Sequence, residues 1–323
     1  SAIRLNAMYE SLNNHRDFYD GEQIGLNPTA HFELSSATTL DLSYEFIDHE
    51  RFIDRGIPTG TNGEPVEAFQ DIVFGDPELN TTELQAHIFR ATLQHRFSDT
   101  LKGRVSAFYG DYDKMYQNLY ASGYDQAASP NVVTLDGYLD TTQRQNFILS
   151  GDLIGEFQMG GLRHTVVAGV EYIDTVNNND RYNTFFDQTA DDNESFIIQR
   201  PLDIRGGVGV NASGDPTSND FTVSINDDTE ADVSVFSVYL QDEIEISEKL
   251  DIIIGARFDS FEIDVYNVVA DESRSRSDEE ISPRFGIVFK PQENVSLYGS
   301  YSESFLPRSG EQFANINGSN NAL

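Results

Sequence analysis

The chain has 323 residues, of which 54 are acidic and 21 basic, and its net charge is -33. This charge excludes nucleic acid as a partner, because phosphate binding needs a basic surface. The sequence contains no cysteine, which excludes a disulfide framework and a thiolate metal site. No stretch approaches the roughly 20 apolar residues of a membrane helix.

Eleven segments place apolar side chains at every second position, the pattern of a β-strand with one apolar and one polar face. In chain order the apolar sets run from Ile3 to Tyr9, Ala30 to Leu34, Leu40 to Phe46, Phe89 to Phe97, Leu101 to Tyr109, Phe147 to Phe157, Val166 to Tyr172, Phe236 to Ile246, Leu250 to Phe258, Ile281 to Phe289 and Val295 to Tyr301. Asp242 is an exception on the apolar parity, which predicts a position near a rim or a bulge that shifts the register.

The alternate positions of these segments carry Arg, Glu, Asp and Lys at mid-strand, and this decides the class. A small soluble barrel or sandwich needs an apolar core, whereas a membrane barrel turns its apolar face to lipid and lines a wide lumen with its charged face. We therefore predict an all-β fold, a transmembrane antiparallel β-barrel. Its location would be the outer membrane of a Gram-negative bacterium, in contact with outer-membrane lipid and lipopolysaccharide.

Short and long connections alternate along the chain. We predict short turns at 98–100, 160–163, 247–249 and 291–294, and long polar loops at 119–136, 179–232 and 267–279. Outer-membrane barrels have short periplasmic turns and long extracellular loops, so the two sets of connections predict the two rims. Eleven strands is an odd number where bacterial single-chain barrels have an even one, which indicates that the barrel is incomplete here.

Several runs of residues carry a family pattern. Four of them are Val235 to Glu243, Leu250 to Asp259, Ile281 to Phe289 and Val295 to Pro307, preceded by Asp54-Arg55-Gly56-Ile57-Pro58 and Phe74-Gly75-Asp76-Pro77. Together they cover most of the chain from about residue 24 to 310 and resemble TonB-dependent siderophore receptors. The runs at 54–58 and 74–77 resemble an extracellular loop of the ferric-siderophore branch.

The resemblance implies a barrel of about 22 strands, of which about 11 are present, plugged by an N-terminal domain. Residues 1–323 would then be one partial barrel domain, with the plug and the C-terminal closing strands absent. It also implies import of a ferric siderophore by active transport, powered by the TonB-ExbB-ExbD complex of the inner membrane acting through the missing N-terminal region. The iron arrives already chelated, so no protein metal ligand and no cofactor are expected.

The ligand site is expected at the outer end of the lumen, where aromatic faces and a few polar groups bind bulky chelates. The predicted ligand-binding residues are Tyr112, Tyr116, Tyr120, Tyr124, Arg181, Tyr182, Phe185, Phe186, Tyr298 and Arg308. The alternative is that these aromatic residues form the interfacial girdle or pack the loops together. No Gly-x-Ser-x-Gly elbow, His-Glu-x-x-His pair or phosphate loop occurs, so no enzyme is predicted.

Four other functions stay open at this point. One is a passive porin-like channel, and a second is a TonB-dependent receptor for another nutrient, such as haem, cobalamin or a glycan. A third is a surface adhesion barrel whose long loops hold partners, and the last is a soluble all-β binding module.

Overall fold

The computed structural model describes residues 1–305, which form a 14-stranded sheet and one short 3-10 helix, Glu67–Phe69. Among these residues no helix is long and apolar enough to cross a membrane. The strands are β1 (Ala2–Asn13), β2 (Asp20–Ser35), β3 (Thr38–Phe52), β4 (Thr81–Arg96), β5 (Leu101–Tyr124), β6 (Val132–Met159), β7 (Leu162–Phe186), β8 (Asn193–Ile197), β9 (Ile204–Arg205), β10 (Val208–Val210), β11 (Pro216–Ser247), β12 (Leu250–Asn267), β13 (Glu272–Gln292) and β14 (Val295–Ser302).

Eleven strands follow one another through a single antiparallel meander, in the order β1 to β7 and then β11 to β14. This confirms the eleven strands predicted from periodicity. The short strands β8, β9 and β10 lie off the path, where β8 pairs with β6 and β10 joins β9 to β11. Strands of two, three and five residues are too short to show a period, so the sequence did not reveal them. In the described part of the chain, β1 and β14 each pair on one side only, so the sheet is open.

The predicted apolar residues form one continuous belt, because their cross-strand partners are also apolar. Many are exposed, including Phe89 at 50% and Leu153 at 51%, as expected for side chains that face lipid. We call this side of the sheet the apolar face and the opposite side the polar face. One row of direct cross-strand neighbours in the belt is Ile3, Ala30, Leu42, Ala91, Ala107, Leu149, Tyr172 and Phe236.

The connections alternate between two rims as predicted, but the loops are shorter than predicted, and residues 268–271 form a connection no longer than the turn 97–100. The short-turn rim comprises residues 36–37, 97–100, 160–161, 248–249 and 293–294, and the long-loop rim comprises 14–19, 53–80, 125–131, 187–215 and 268–271. Strand pairing continues far into the predicted loops 119–136, 179–232 and 267–279. Beyond a bilayer, water contacts both faces of a strand, so the apolar alternation stops while the backbone ladder goes on.

Two long connections fold into a small core at the long-loop rim. Ile72 and Phe74 of loop 53–80, with Phe196, Leu202 and Ile204 of the 187–215 connection, pack against the strand ends. The buried residues that the strands contribute are Leu119, Val133, Leu135, Phe186 and Phe221. Leu119 and Leu135 have the parity of the apolar face, so the loops cover that face where it rises beyond the belt.

A second buried cluster corrects the expectation of a uniformly polar lumen face. Ala231 and Val233 of β11 pack with Phe261, Ile263 and Val265 of β12. All five have the parity of the polar face, because Phe236 and Phe258 on the same strands belong to the apolar belt. The sequence did not reveal this cluster, because Ala231 fell within a predicted loop and the other four residues lay outside the apolar sets that ended at Phe236 and Phe258.

Asp242 lies close to the short-turn rim on the apolar face, and the pairing of β11 with β7 and β12 is regular around it. The rim prediction is therefore confirmed and the bulge alternative is wrong. Its Oδ2 atom lies 2.7 Å from Nδ1 of His164, whose ring stacks on Phe157. A carboxylate on this face is accommodated because a histidine ring is its hydrogen-bond partner.

Candidate functional site

The polar face carries a cluster of tyrosine and arginine side chains at the long-loop rim. Alternation along β5 turns Tyr116 and Tyr120 to this face, and the pairing of β5 with β6 brings Tyr138 beside them. The Tyr116 and Tyr138 rings stack with centroids 5.9 Å apart, and the Tyr120 ring meets Tyr138 edge-on at 6.3 Å. The three rings form an aromatic surface that borders the lumen side of the rim.

Two arginines lie on this surface. Arg55, at the start of loop 53–80, donates hydrogen bonds from Nη1 to Oη of Tyr138 (2.6 Å) and of Tyr116 (3.4 Å), and its guanidinium lies 5.1 Å from the Tyr120 ring centroid. Arg181 of β7 covers the Tyr138 ring at 4.1 Å. We call these five residues, Arg55, Tyr116, Tyr120, Tyr138 and Arg181, the Tyr-Arg cluster.

The two guanidinium groups differ in how their charge is balanced. Arg181 lies 3.5 Å from the Asp140 carboxylate. Arg55 has no carboxylate within ion-pair distance in the part of the chain that the structure describes, and it is exposed. Burial lowers the pKa of Arg55, but the hydrogen bonds to Tyr138 and Tyr116 outweigh it and raise the pKa above its ordinary value. The cluster therefore presents an unneutralised cation among aromatic rings.

An acid lies at the edge of the cluster. The hydroxyl of Tyr120 donates a hydrogen bond of 3.1 Å to Oδ2 of Asp136. Burial and the neighbouring Asp192 raise the pKa of Asp136, while the backbone N–H of Gly137 opposes the shift. Burial and Asp136 raise the pKa of Tyr120, so the phenol stays protonated at neutral pH. Such an arrangement can stack on a planar ligand, accept its hydrogen bonds and pair its negative charge.

The structure brings three of the predicted ligand-binding residues together, namely Tyr116, Tyr120 and Arg181. Tyr112 also faces the lumen but lies farther from the rim, with its ring against Gly110. Phe185 lies at the end of β7 opposite Asp220.

The remaining predicted residues lie elsewhere. A register shift between Ala121 and Gly123 turns Tyr124 to the apolar face, where it contacts Phe69. Tyr182 and Phe186 have the parity of that face too, and Phe186 is in the loop core. Tyr298 lies on β14 near the short-turn rim, far from the cluster along its strand. Arg308 lies outside the described residues.

Sequence reasoning missed Tyr138 and Arg55. Tyr138 has the lumen parity of its strand, so extending the alternation of β6 back from Asn146 would have found it. Arg55 belongs to a recognised motif, but nothing in the sequence shows that loop 53–80 leads back to β5 and β6. Among residues 1–305, no group of three or more His, Asp or Glu side chains is placed to hold a metal ion.

Comparison with known proteins places this geometry in a family. Residues 25–323 match the family described as TonB dependent receptor-like, beta-barrel. The chain is 25% identical over 332 residues to the metal-pseudopaline receptor CntO of Pseudomonas aeruginosa, covering 96% of this chain and 42% of that protein. It is 26% identical over 301 residues to the probable TonB-dependent siderophore receptor PiuA of Acinetobacter baumannii, covering 88% of this chain and 40% of that protein.

The fold is also similar to a solved structure, FpvA of P. aeruginosa in complex with a pyoverdine and iron. The TM-score is 0.76 at 18% identity, over 95% of this chain and 38% of FpvA. At this identity the likeness concerns the fold alone. The chain spans about two fifths of the length of the curated relatives named above.

This chain belongs to the TonB-dependent receptor family, and the structure describes a segment of its barrel wall. Proteins of this family reside in the outer membrane of Gram-negative bacteria, as predicted. The apolar face is accordingly the lipid side of the wall, and the polar face lines the lumen.

Proposed function

We propose that this chain is part of a receptor that binds an anionic ferric siderophore and imports it by active transport. The single observation that carries the proposal is Arg55, an exposed guanidinium without a carboxylate partner among the described residues, which lies over two tyrosine rings and donates a hydrogen bond to a third tyrosine. An anionic chelate supplies the missing charge, and its aromatic or planar groups stack on the rings.

The cations of the strands all face the lumen. Every Arg and Lys in the eleven principal strands has the parity of the polar face, and the apolar face of these strands carries neither. Most of the strand arginines are paired with carboxylates of the same face, so the preference for an anionic ligand rests on Arg55 and not on the net charge of the wall. The family assignment favours a receptor over the porin-like channel, the adhesion barrel and the soluble module.

The rest of the receptor completes the proposal. It would supply the remaining strands of the barrel, an N-terminal plug and the contact with the TonB-ExbB-ExbD complex, which provides the free energy of import. The wall in this picture is a binding and guiding surface, and no catalysis is assigned to it. A second candidate cargo is a complex of another metal with a chelator, favoured by the likeness to a metal-pseudopaline receptor.

The test is equilibrium binding of radiolabelled chelates to the full-length receptor in outer-membrane preparations. Ferric catecholate, hydroxamate and hydroxycarboxylate siderophores, and a nickel or zinc chelate, are compared. We expect at least one ferric chelate to bind, and Arg55→Gln to weaken it about tenfold or more, because a charge-assisted hydrogen bond is lost.

The matched control is Arg163→Gln, the same change at the opposite, short-turn rim, where Arg163 is ion-paired with Glu245 at 3.4 Å. The affinity of this variant receptor for the ferric chelate is expected to equal that of the wild type. Failure of every ferric chelate to bind the wild-type receptor would overturn the ferric-siderophore proposal. Equal affinities for wild type and Arg55→Gln would overturn the assigned site alone.

A further inference from the structure

Loop 53–80 ends at Asn80, whose side-chain amide is buried and does not contact the lumen. Asn80 is 1% exposed, and its side chain makes four hydrogen bonds. Its Nδ2 donates to the carbonyl oxygens of Ile53 (3.0 Å) and Leu119 (2.8 Å), and its Oδ1 accepts from the backbone N–H groups of Leu119 and Asp76, both at 3.0 Å. These bonds use the full capacity of a side-chain amide.

The partners of Asn80 lie directly beside the Tyr-Arg cluster in the chain. Ile53 precedes Arg55 by two residues, and Leu119 lies between Asn118 and Tyr120. Arg55 contacts both of those neighbours, with Nη1 at 3.4 Å from Oδ1 of Asn118 and the guanidinium over the Tyr120 ring. The buried amide of Asn80 thus connects the backbone next to Arg55 to the backbone of Asn118 and Tyr120, which Arg55 contacts.

The recognised run Phe74-Gly75-Asp76-Pro77 forms the base of this arrangement. A Cβ atom on Gly75 would overlap the Asn80 side chain, so only glycine allows the amide to approach. The Asp76 carboxylate is fully buried and accepts hydrogen bonds from the N–H groups of Glu78 (2.8 Å) and Gly207 (3.0 Å). Gly207 belongs to the 187–215 connection, so Asp76 joins the two long connections.

We propose that Asn80, supported by Asp76, is a positioning residue that holds Arg55 at the mouth of the lumen before any ligand arrives. The proposal rests on the proposed function, in which Arg55 contacts the ligand. A loop that is ordered in advance does not have to be ordered when the ligand binds, so affinity is gained without an additional contact. The two sequence runs around Arg55 and Asp76 then form one unit.

The experiment is a double-substitution cycle in the full-length receptor, using the ferric chelate that binds it. We expect Asn80→Ala to raise Kd about three- to tenfold in the wild-type background. In the Arg55→Gln background it should leave Kd unchanged, because the group that it positions is gone. An equal rise in both backgrounds would show a merely structural role and overturn the proposal.

A second measurement does not depend on the ligand. Amide hydrogen exchange of residues 53–57 is expected to accelerate in Asn80→Ala, whereas Asn62→Ala, the same change at an exposed site of the same loop, should leave exchange and Kd unaltered. Unchanged exchange in Asn80→Ala would overturn the positioning role even if no chelate bound. Where Asn80→Ala fails to insert, Asp76→Asn takes its place in both measurements.

Discussion

Asp228 lies directly opposite Asp180 across the β11–β7 pair, beyond the lipid belt. Burial and repulsion from Asp180 and Glu230 raise the pKa of Asp228 above its usual value. The folded state therefore binds this proton more tightly than the unfolded state does. The stability that protonated Asp228 contributes to the folded state is fully present below the usual carboxyl pKa, and it is lost as the pH rises through the raised pKa.

Replacing Asp228 by asparagine should consequently stabilise the outer ends of β7 and β11 at neutral pH. The expected gain is about 0.5 kcal/mol, because two like charges directly opposite each other are removed. Near the usual carboxyl pKa and below it, the gain should vanish. Amide exchange of residues 178–183, corrected for intrinsic rates, checks this at two pH values.

Asp187 provides the control of opposite sign. Hydrogen bonds from the backbone N–H and the hydroxyl of Ser218 lower the pKa of Asp187. Its contribution is present above the usual pKa and is lost as the pH falls through the lowered one. Asp187→Asn should therefore speed exchange around residue 218 at neutral pH, and a slowing there would contradict this interpretation of the carboxylates at the rim.

Two glycines of β6 show how closely the outer strand ends pack. A Cβ atom on Gly137 would overlap the carbonyl oxygen of Asn118 and the side chains of Thr184 and Leu119. A Cβ atom on Gly151 would meet only Val170, at 3.9 Å. Both glycines have the parity of the apolar face, but only Gly137 lies where a loop core covers that face.

Gly137→Ala is expected to destabilise the receptor by about 1–3 kcal/mol, the cost of overpacking a core, whereas Gly151→Ala should be close to neutral. Thermal unfolding of the two variants in detergent is compared by the shift in gel mobility between the folded and the heat-denatured receptor. Equal effects of the two substitutions would mean that the rim core is not tightly packed.

The alternation of apolar and polar residues predicted the strands only where one face of the sheet meets lipid. Within the belt every second side chain meets lipid, so the pattern of Phe147 to Phe157 is unambiguous. Farther out, residues 179–181 form strand but are polar on both faces, and they were predicted to be loop. The same limit applied to the site, because parity found Tyr116 and Tyr120 while the register shift before Tyr124 could not be read from residue types.

At the scale of the whole molecule, the wall separates charge as well as hydrophobicity. Lumen-side arginines are mostly neutralised by neighbouring carboxylates, as Arg104 is by Asp152 at 2.7 Å and Arg257 by Glu171 at 2.7 Å. The first pair joins the adjacent strands β5 and β6, and the second spans β11 to join β12 to β7. Arg55 is held instead by the tyrosines, over the rings of Tyr120 and Tyr138, without a carboxylate partner among residues 1–305, and the proposed function assigns it to a ligand on the ground of this combination.

The most direct test of the account is the oxygen accessibility of spin labels along β6 in the full-length receptor in lipid bilayers. Single cysteines at 146, 147, 148, 149 and 150 each carry one label; residues 1–323 contain no cysteine, and any cysteine elsewhere in the receptor is replaced by serine first. The account predicts a period of two, with high collision rates with lipid-dissolved oxygen at 147 and 149 and low rates at the other three positions. Uniform rates, or the opposite parity, would contradict a wall whose apolar face meets lipid and whose polar face lines the lumen.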